Sequence, residues 1–183
     1  MLIAKRTKEN NIAEHIIYMF QIEDLIRANK ADINSILANV IKPQITDQTF
    51  IDSYTKWYAD IIKQMRLEKV DTKGHISDVN EILMELLLLH NTLINISREK
   101  KYLEVFEKAL PILKDFQHKS NAGDLNLIEI GFNALYGKLM LKLQKKTISE
   151  ASEEGFQIIS QMLAVLAHFY KKMKQGDLDF ANN

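Results

Sequence analysis

Apolar residues along this chain recur at intervals of three and four, the spacing that gathers them on one side of an α-helix. With the capping residues, that periodicity predicts helices separated by short breaks. The first is expected over Glu9–Ala28 and a short one over Ile33–Ile41, ending before Pro43. Thr46 or Asp47 caps a third that runs to Val70, and Asp71–His75 forms a loop. Ser77 or Asp78 caps a fourth that ends at Ile96. The fifth begins at Ser97 and ends in Ser120-Asn121-Ala122-Gly123, and the sixth spans Leu125–Lys145. Ser149 caps a seventh, which Gly176 stops, leaving 177–183 as a frayed tail. Glu153 and Glu154 open that last helix and Lys171, Lys172 and Lys174 close it, each sign at the end its dipole favours. Pro111 lies opposite Tyr102, Phe106, Ala109 and Leu113, so it faces water and predicts a kink rather than a break. With no linker and no repeat, the chain reads as one domain, 1–183. Its expected fold is an all-α bundle of six long helices and one short one.

The third helix shows the clearest division between faces. Phe50, Tyr54, Trp57, Tyr58, Ile61, Ile62 and Met65 form one stripe, while Asp52, Lys56, Asp60 and Lys63 face water. In the last helix Phe156, Ile159, Met162, Leu163, Leu166, Phe169, Tyr170 and Met173 share a face, and His168 falls on the polar side. The first helix breaks this order. Glu23 points between Ile12 and Ile16, and Arg27 points between Ile16 and Phe20. A buried carboxylate without a partner is costly, so the two are expected to pair with each other as an internal ion pair. His90 sits among Leu83, Leu86, Leu93 and Ile94, the setting of a core histidine more than of a ligand. Glu129 and Asn133 lie beside Tyr136, Met140 and Leu143. If these helices meet, Glu23, Arg27, His90, Glu129 and Asn133 form one internal polar cluster, either a structural network or a ligand site. Gly131, Ala134 and Gly137 give the sixth helix a small-residue face, which suits close internal packing or a subunit interface.

Composition narrows the chemistry. Gly 6 and Pro 2 are too few for a turn-rich β fold. Cys 0 excludes disulfides, thiolate catalysis and cysteine-bound metals. Lys and Arg number 24 and Asp and Glu 24, so no net field draws the chain to nucleic acid. The basic segments Lys5–Lys8, Arg98–Lys101 and Lys142–Lys146 are short helix-end clusters. The run Ile82–Leu89 is too short to span a bilayer, and the charged start at Lys5-Arg6 is unlike a secretory signal. A cytoplasmic protein without a membrane segment is expected. No Glu has His three residues later, the nearest approach being Asp115 and His118. His15, His75, His90, His118 and His168 are scattered, and no zinc motif, phosphate loop or nucleophile elbow occurs. No cofactor or metal is expected, and Gly74-His75 reads as a turn, with a functional loop as the alternative.

Glu9–Ala28 and Ala134–Lys146 are similar to segments of an uncharacterised bacterial family of Bacteroidetes type, a domain of unknown function. Trp57-Tyr58, Gly74-His75, Ala109-Leu110-Pro111 and Leu166–Lys172 resemble further stretches of it. The chain departs from the pattern at His15 and Phe20, where the family would carry tyrosine and tryptophan, so neither is taken as a site residue. The resemblance implies one helical domain in a bacterial cytoplasm and brings no activity, substrate, cofactor or catalytic residue. The absence of catalytic motifs and the small-residue face together lean toward a non-enzymatic scaffold acting through a protein partner or self-association. The alternative is a small-ligand-binding or hydrolytic bundle, with Arg27 holding an anionic group and Glu23, Glu129 or His90 moving protons.

Overall fold

The computed structural model of the chain describes residues 2–120 and 122–178. Asn121, within the expected stop of the fifth helix, and 179–183 of the expected frayed tail lie outside the described residues. Among the described residues there are eight α-helices, one π-helical turn and no strand. They are α1 (Leu2–Asn10), α2 (Ile12–Ala28), α3 (Ile33–Ile36) with its π-helical turn (Leu37–Ile41), α4 (Gln48–Leu67), α5 (Ser77–Asn95), α6 (Lys100–Lys119), α7 (Leu127–Leu143) and α8 (Glu150–Gln175).

The all-α reading holds, and its boundaries change at the start of the chain. The expected first helix begins inside α1. Asn11 breaks the two apart with extended backbone (φ −151°, ψ 98°), and its side chain accepts from the Ala13 and Glu14 N–H groups. α1 then folds against α2, where the His15 Nδ1–H donates to the Ala4 carbonyl at 3.1 Å. The short helix resolves into a turn capped by Asp32 and a π turn closed by the Lys42 N–H on the Leu37 carbonyl.

α8, 26 residues long, is the central post and packs against α2, α5, α6 and α7. Ile16, Ile26, Leu86, Leu113, Met162 and Leu166 are fully buried around it. α6 continues through Pro111, which is exposed as expected, and His168 is exposed too. In α4 the inward place at the start belongs to Ile51, 7% exposed, and Phe50 is 47% exposed. Ile51 lies two turns before Tyr58 on one side of the helix, and Phe50 is about 100° round from it. Gly131 packs against Leu113, Ile159 and Leu163, and Ala134 is fully buried. Two of the three small residues of α7 therefore serve internal packing, while Gly137 opens on empty space.

Candidate functional site

The polar residues predicted to converge lie in three separate places. At one corner, α2 meets the 68–76 loop between α4 and α5. Glu23 is fully buried there, and it binds the loop rather than Arg27. Its Oε1 accepts from the Ile76 N–H at 2.9 Å, and its Oε2 accepts from the His75 Nδ1–H at 2.5 Å. The expected Glu23–Arg27 pair is replaced by these bonds, because the loop brings an N–H and an imidazole that α2 does not carry. Arg27 turns to Asp24, 2.8 Å from Nη1, and its Nη2 donates to the carbonyls of Val70 (2.9 Å) and Gly74. Gly74 holds φ at +90°, a conformation natural to glycine, while presenting that carbonyl. Tyr136 of α7 closes the corner by donating from its hydroxyl to Asp24 Oδ2 at 2.7 Å. Burial first, then the Asp24 bond, raise the Tyr136 hydroxyl well above its ordinary pKa, so it stays a donor.

This corner also caps α5. The expected caps, Ser77 and Asp78, fall one and two residues inside the helix, whose N-cap is Ile76. Carboxylates from outside the helix, on α2 and just past the end of α4, bond to the N–H groups at its start. Glu23 binds the Ile76 N–H, and Glu68, at the end of α4, accepts from the Ser77 N–H (2.6 Å) and hydroxyl (2.7 Å). Both negative charges sit where the helix dipole favours them. Burial alone would raise the Glu68 carboxyl, yet the bonds from Ser77 and Gln64 hold it below its ordinary value.

His75 is the one member of this corner with chemistry to spare. Its ring stacks on Phe20 with centroids 3.9 Å apart. Nδ1 is engaged by Glu23, and the side chain as a whole remains 25% exposed. A carboxylate-oriented imidazole with a free second nitrogen is a competent proton acceptor. The Gly74-His75 turn, or functional loop, of the sequence analysis is here the segment that meets Glu23. Glu23 in an apolar stripe was a signal that something must meet it, but nothing along the chain marked His75 as the partner.

The other predicted residues stand apart. His90 shares a 2.7 Å hydrogen bond with the Tyr102 hydroxyl and packs edge-on to Phe106, both on α6. Burial holds its imidazole down to about 4, so it is neutral. Glu129 closes a capping box, accepting from the Asn126 N–H at 2.9 Å at the start of α7. Asn133 is half-buried one turn further on. Among the described residues, no three His, Cys, Asp or Glu side chains gather as a metal site. A groove of about 450 Å³ between α6 and α8, floored by Ile112, Phe116 and Phe156, is lined by none of these polar residues.

The surface carries a second feature. α5 exposes Met84 (56%) and Leu88 (60%), and Ile96 just beyond it is 76% exposed. Asn91 and Asn95 are the other exposed positions between Met84 and Ile96, so this outward strip holds no charge. Glu85, the one ionisable carboxylate in that span, reaches to α8, where Tyr170 (2.5 Å) and Lys174 (2.7 Å) bind it, and the Glu85–Lys174 pair stays part-exposed at the edge of the strip. The exposed side of α6 is the opposite case, with Lys101, Glu104, Glu107, Lys108, Lys114 and Asp115.

An all-helical single domain with an internally fastened loop is the class that these features define. The model of the family Domain of unknown function (DUF4924) matches residues 1–177, and the chain belongs to that family. No curated protein and no solved structure matches it. Among the described residues, no helix is long and apolar enough to cross a membrane.

Proposed function

We propose that the chain is a non-enzymatic interaction module of the cytoplasm, a rigid helical bundle that works by contact with another polypeptide. The observation that carries this reading is the uncharged strip Met84, Leu88, Asn91 and Asn95 on one side of α5, with Ile96 exposed beyond the helix end. Depletion of charge together with exposed Met and Leu is the composition of an interface core, not of an ordinary solvated helix face. The internal polar groups agree with it. Arg27 is engaged by Asp24 and two carbonyls, Glu129 caps a helix, and His90 is neutral and bound to Tyr102. Each makes bonds within the architecture, though Arg27 Nε is buried without a partner among the described residues.

Native mass spectrometry of the protein isolated with its partners, repeated after denaturation, tests the reading. A companion polypeptide that Leu88→Glu releases supports it. A stoichiometric small molecule lost on denaturation overturns it. The Glu23–His75 pair favours a second reading, in which Nε2 of His75 accepts a proton from a small substrate or its attacking water. Turnover of any substrate that vanishes in His75→Ala, at unchanged melting temperature, would establish that reading instead.

A further inference from the structure

We infer that α1 is a releasable arm, which swings off α2 about Asn11 when the His15 ring takes up a second proton and leaves the rest of the bundle in place.

The attachment of α1 is slender. It packs chiefly on α2, the helix that follows it, and Asn11 joins the two through one extended residue. Ala4 and Thr7 are its buried positions among the described side chains, and Ile3 is 43% exposed. A cleft lies along each flank. One, of about 380 Å³, is lined by Ala4, Lys5 and Lys8 together with His15, Met19 and Trp57. The other, of about 470 Å³, is lined by Ile3, Arg6 and Thr7 with Ile17 and Tyr18. A helix of 9 residues is marginal in water, so α1 keeps its form only while docked.

His15 is the clasp. Its side chain is buried against α1, with the residue 7% exposed. The Thr7 hydroxyl, 3.4 Å from Nδ1, gives its own proton to the Ile3 carbonyl at 2.9 Å. Nδ1 is therefore the donor to the Ala4 carbonyl, and a second proton enters at Nε2, which has no hydrogen-bond partner among the described residues. The charged groups lining the same cleft are Lys5 and Lys8 of α1, Asp60 of α4 and Asp78 of α5. Burial and then Lys8 act against the imidazolium more than the Ala4 bond and Asp78 favour it, so the docked ring is held below its ordinary pKa. Release returns the ring to water, where it titrates near 6.5. Above that pH the docked arm is favoured. Below it the released arm gains by up to about tenfold per pH unit, until the docked ring is protonated as well.

Amide hydrogen exchange of the full chain from pH 7.5 to pH 5, corrected for intrinsic rates, is the test, with His15→Asn alongside. Asparagine sets an amide N–H near the place of Nδ1–H and does not titrate. Protection of the α1 amides should fall about tenfold in the wild type while α8 keeps its own, and should stay level in His15→Asn. Level protection of α1 in the wild type overturns the inference. So does an equal fall in α8, which is global unfolding, or an equal fall in His15→Asn. Where His15→Asn does not fold, the wild type still decides through Trp57, the one tryptophan of the chain. Acrylamide quenching of its emission must rise over the same interval as its cleft opens, and constant quenching overturns the arm.

Discussion

His90 is 4% exposed, and burial depresses its imidazole to about 4. In the unfolded chain it titrates near 6.5, so the unfolded state binds the proton first as pH falls. Its contribution is whole above pH 6.5 and is lost progressively toward pH 4, up to about 3 kcal/mol. His15 shifts the same way, through burial and then Lys8. Glu68 and Glu85 are displaced downward from 4.5, so their contributions fade only below that pH. Melting temperatures measured from pH 7 to pH 4.5 should fall in the wild type and fall less in His90→Gln, whose amide can still bond to Tyr102. At Glu23 the expectation concerns a buried charge with two ligands. Glu23→Ala leaves the Ile76 N–H and the His75 Nδ1–H without their acceptor and should cost about 3 kcal/mol or more in urea denaturation. Glu23→Gln keeps an acceptor for Ile76 and should lose clearly less. An alanine loss below about 1 kcal/mol would mean that this corner does not hold α5 in place.

Helices are where the sequence was most readable, and their ends show why it was not fully so. Asp47, Asn126 and Ser149 cap α4, α7 and α8 by bonds to nearby amides, which local reading can anticipate for Asp47 and Ser149. α5 is different, because Glu23 of α2 and Glu68, just past the end of α4, bond to the N–H groups at its start. No spacing rule along the chain encodes such a cap. α1 escaped notice because its apolar positions are few and Asn11 falls between two helical segments rather than before one. Asn11→Ala should cost about 1 kcal/mol, read as a lower urea midpoint. The glycines of α7 separate two explanations that sequence alone left open. A methyl at Gly137 meets nothing within 4 Å, so Gly137→Ala should raise stability by about 0.5–1 kcal/mol. At Gly131 the added carbon would lie 3.4 Å from Leu163 and 3.6 Å from Ile159 and Leu113, ordinary contact distances, and the gain should be at least as large. Thermal melts of the two variants give the comparison. A Gly137→Ala variant that lost stability would mean that this position is packed after all.

For the molecule as a whole, the all-α bundle followed from periodicity, while the candidate site did not. Glu23 and Arg27 were found because charges in an apolar stripe demand partners. Those partners, His75 and the carbonyls of Val70 and Gly74, lie more than forty residues away along the chain. Joining His90 and Glu129 to the same cluster required helix order in space, which periodicity on separate helices does not contain. Charge acts at this scale as well. With acidic and basic residues balanced, static light scattering should report the strongest mutual attraction near pH 7, weakening on either side. The fastened loop has a further consequence, in susceptibility to cleavage. Asp71, Thr72, Lys73 and Gly74 are all exposed, and a surface tip with basic residues invites trypsin. A protease must draw such a segment out into an extended form, and Arg27 grips it by the carbonyls of both Val70 and Gly74. Lys69 and Lys73 should therefore survive digestion in the native chain, and Arg27→Ala should make them the first places to be cut.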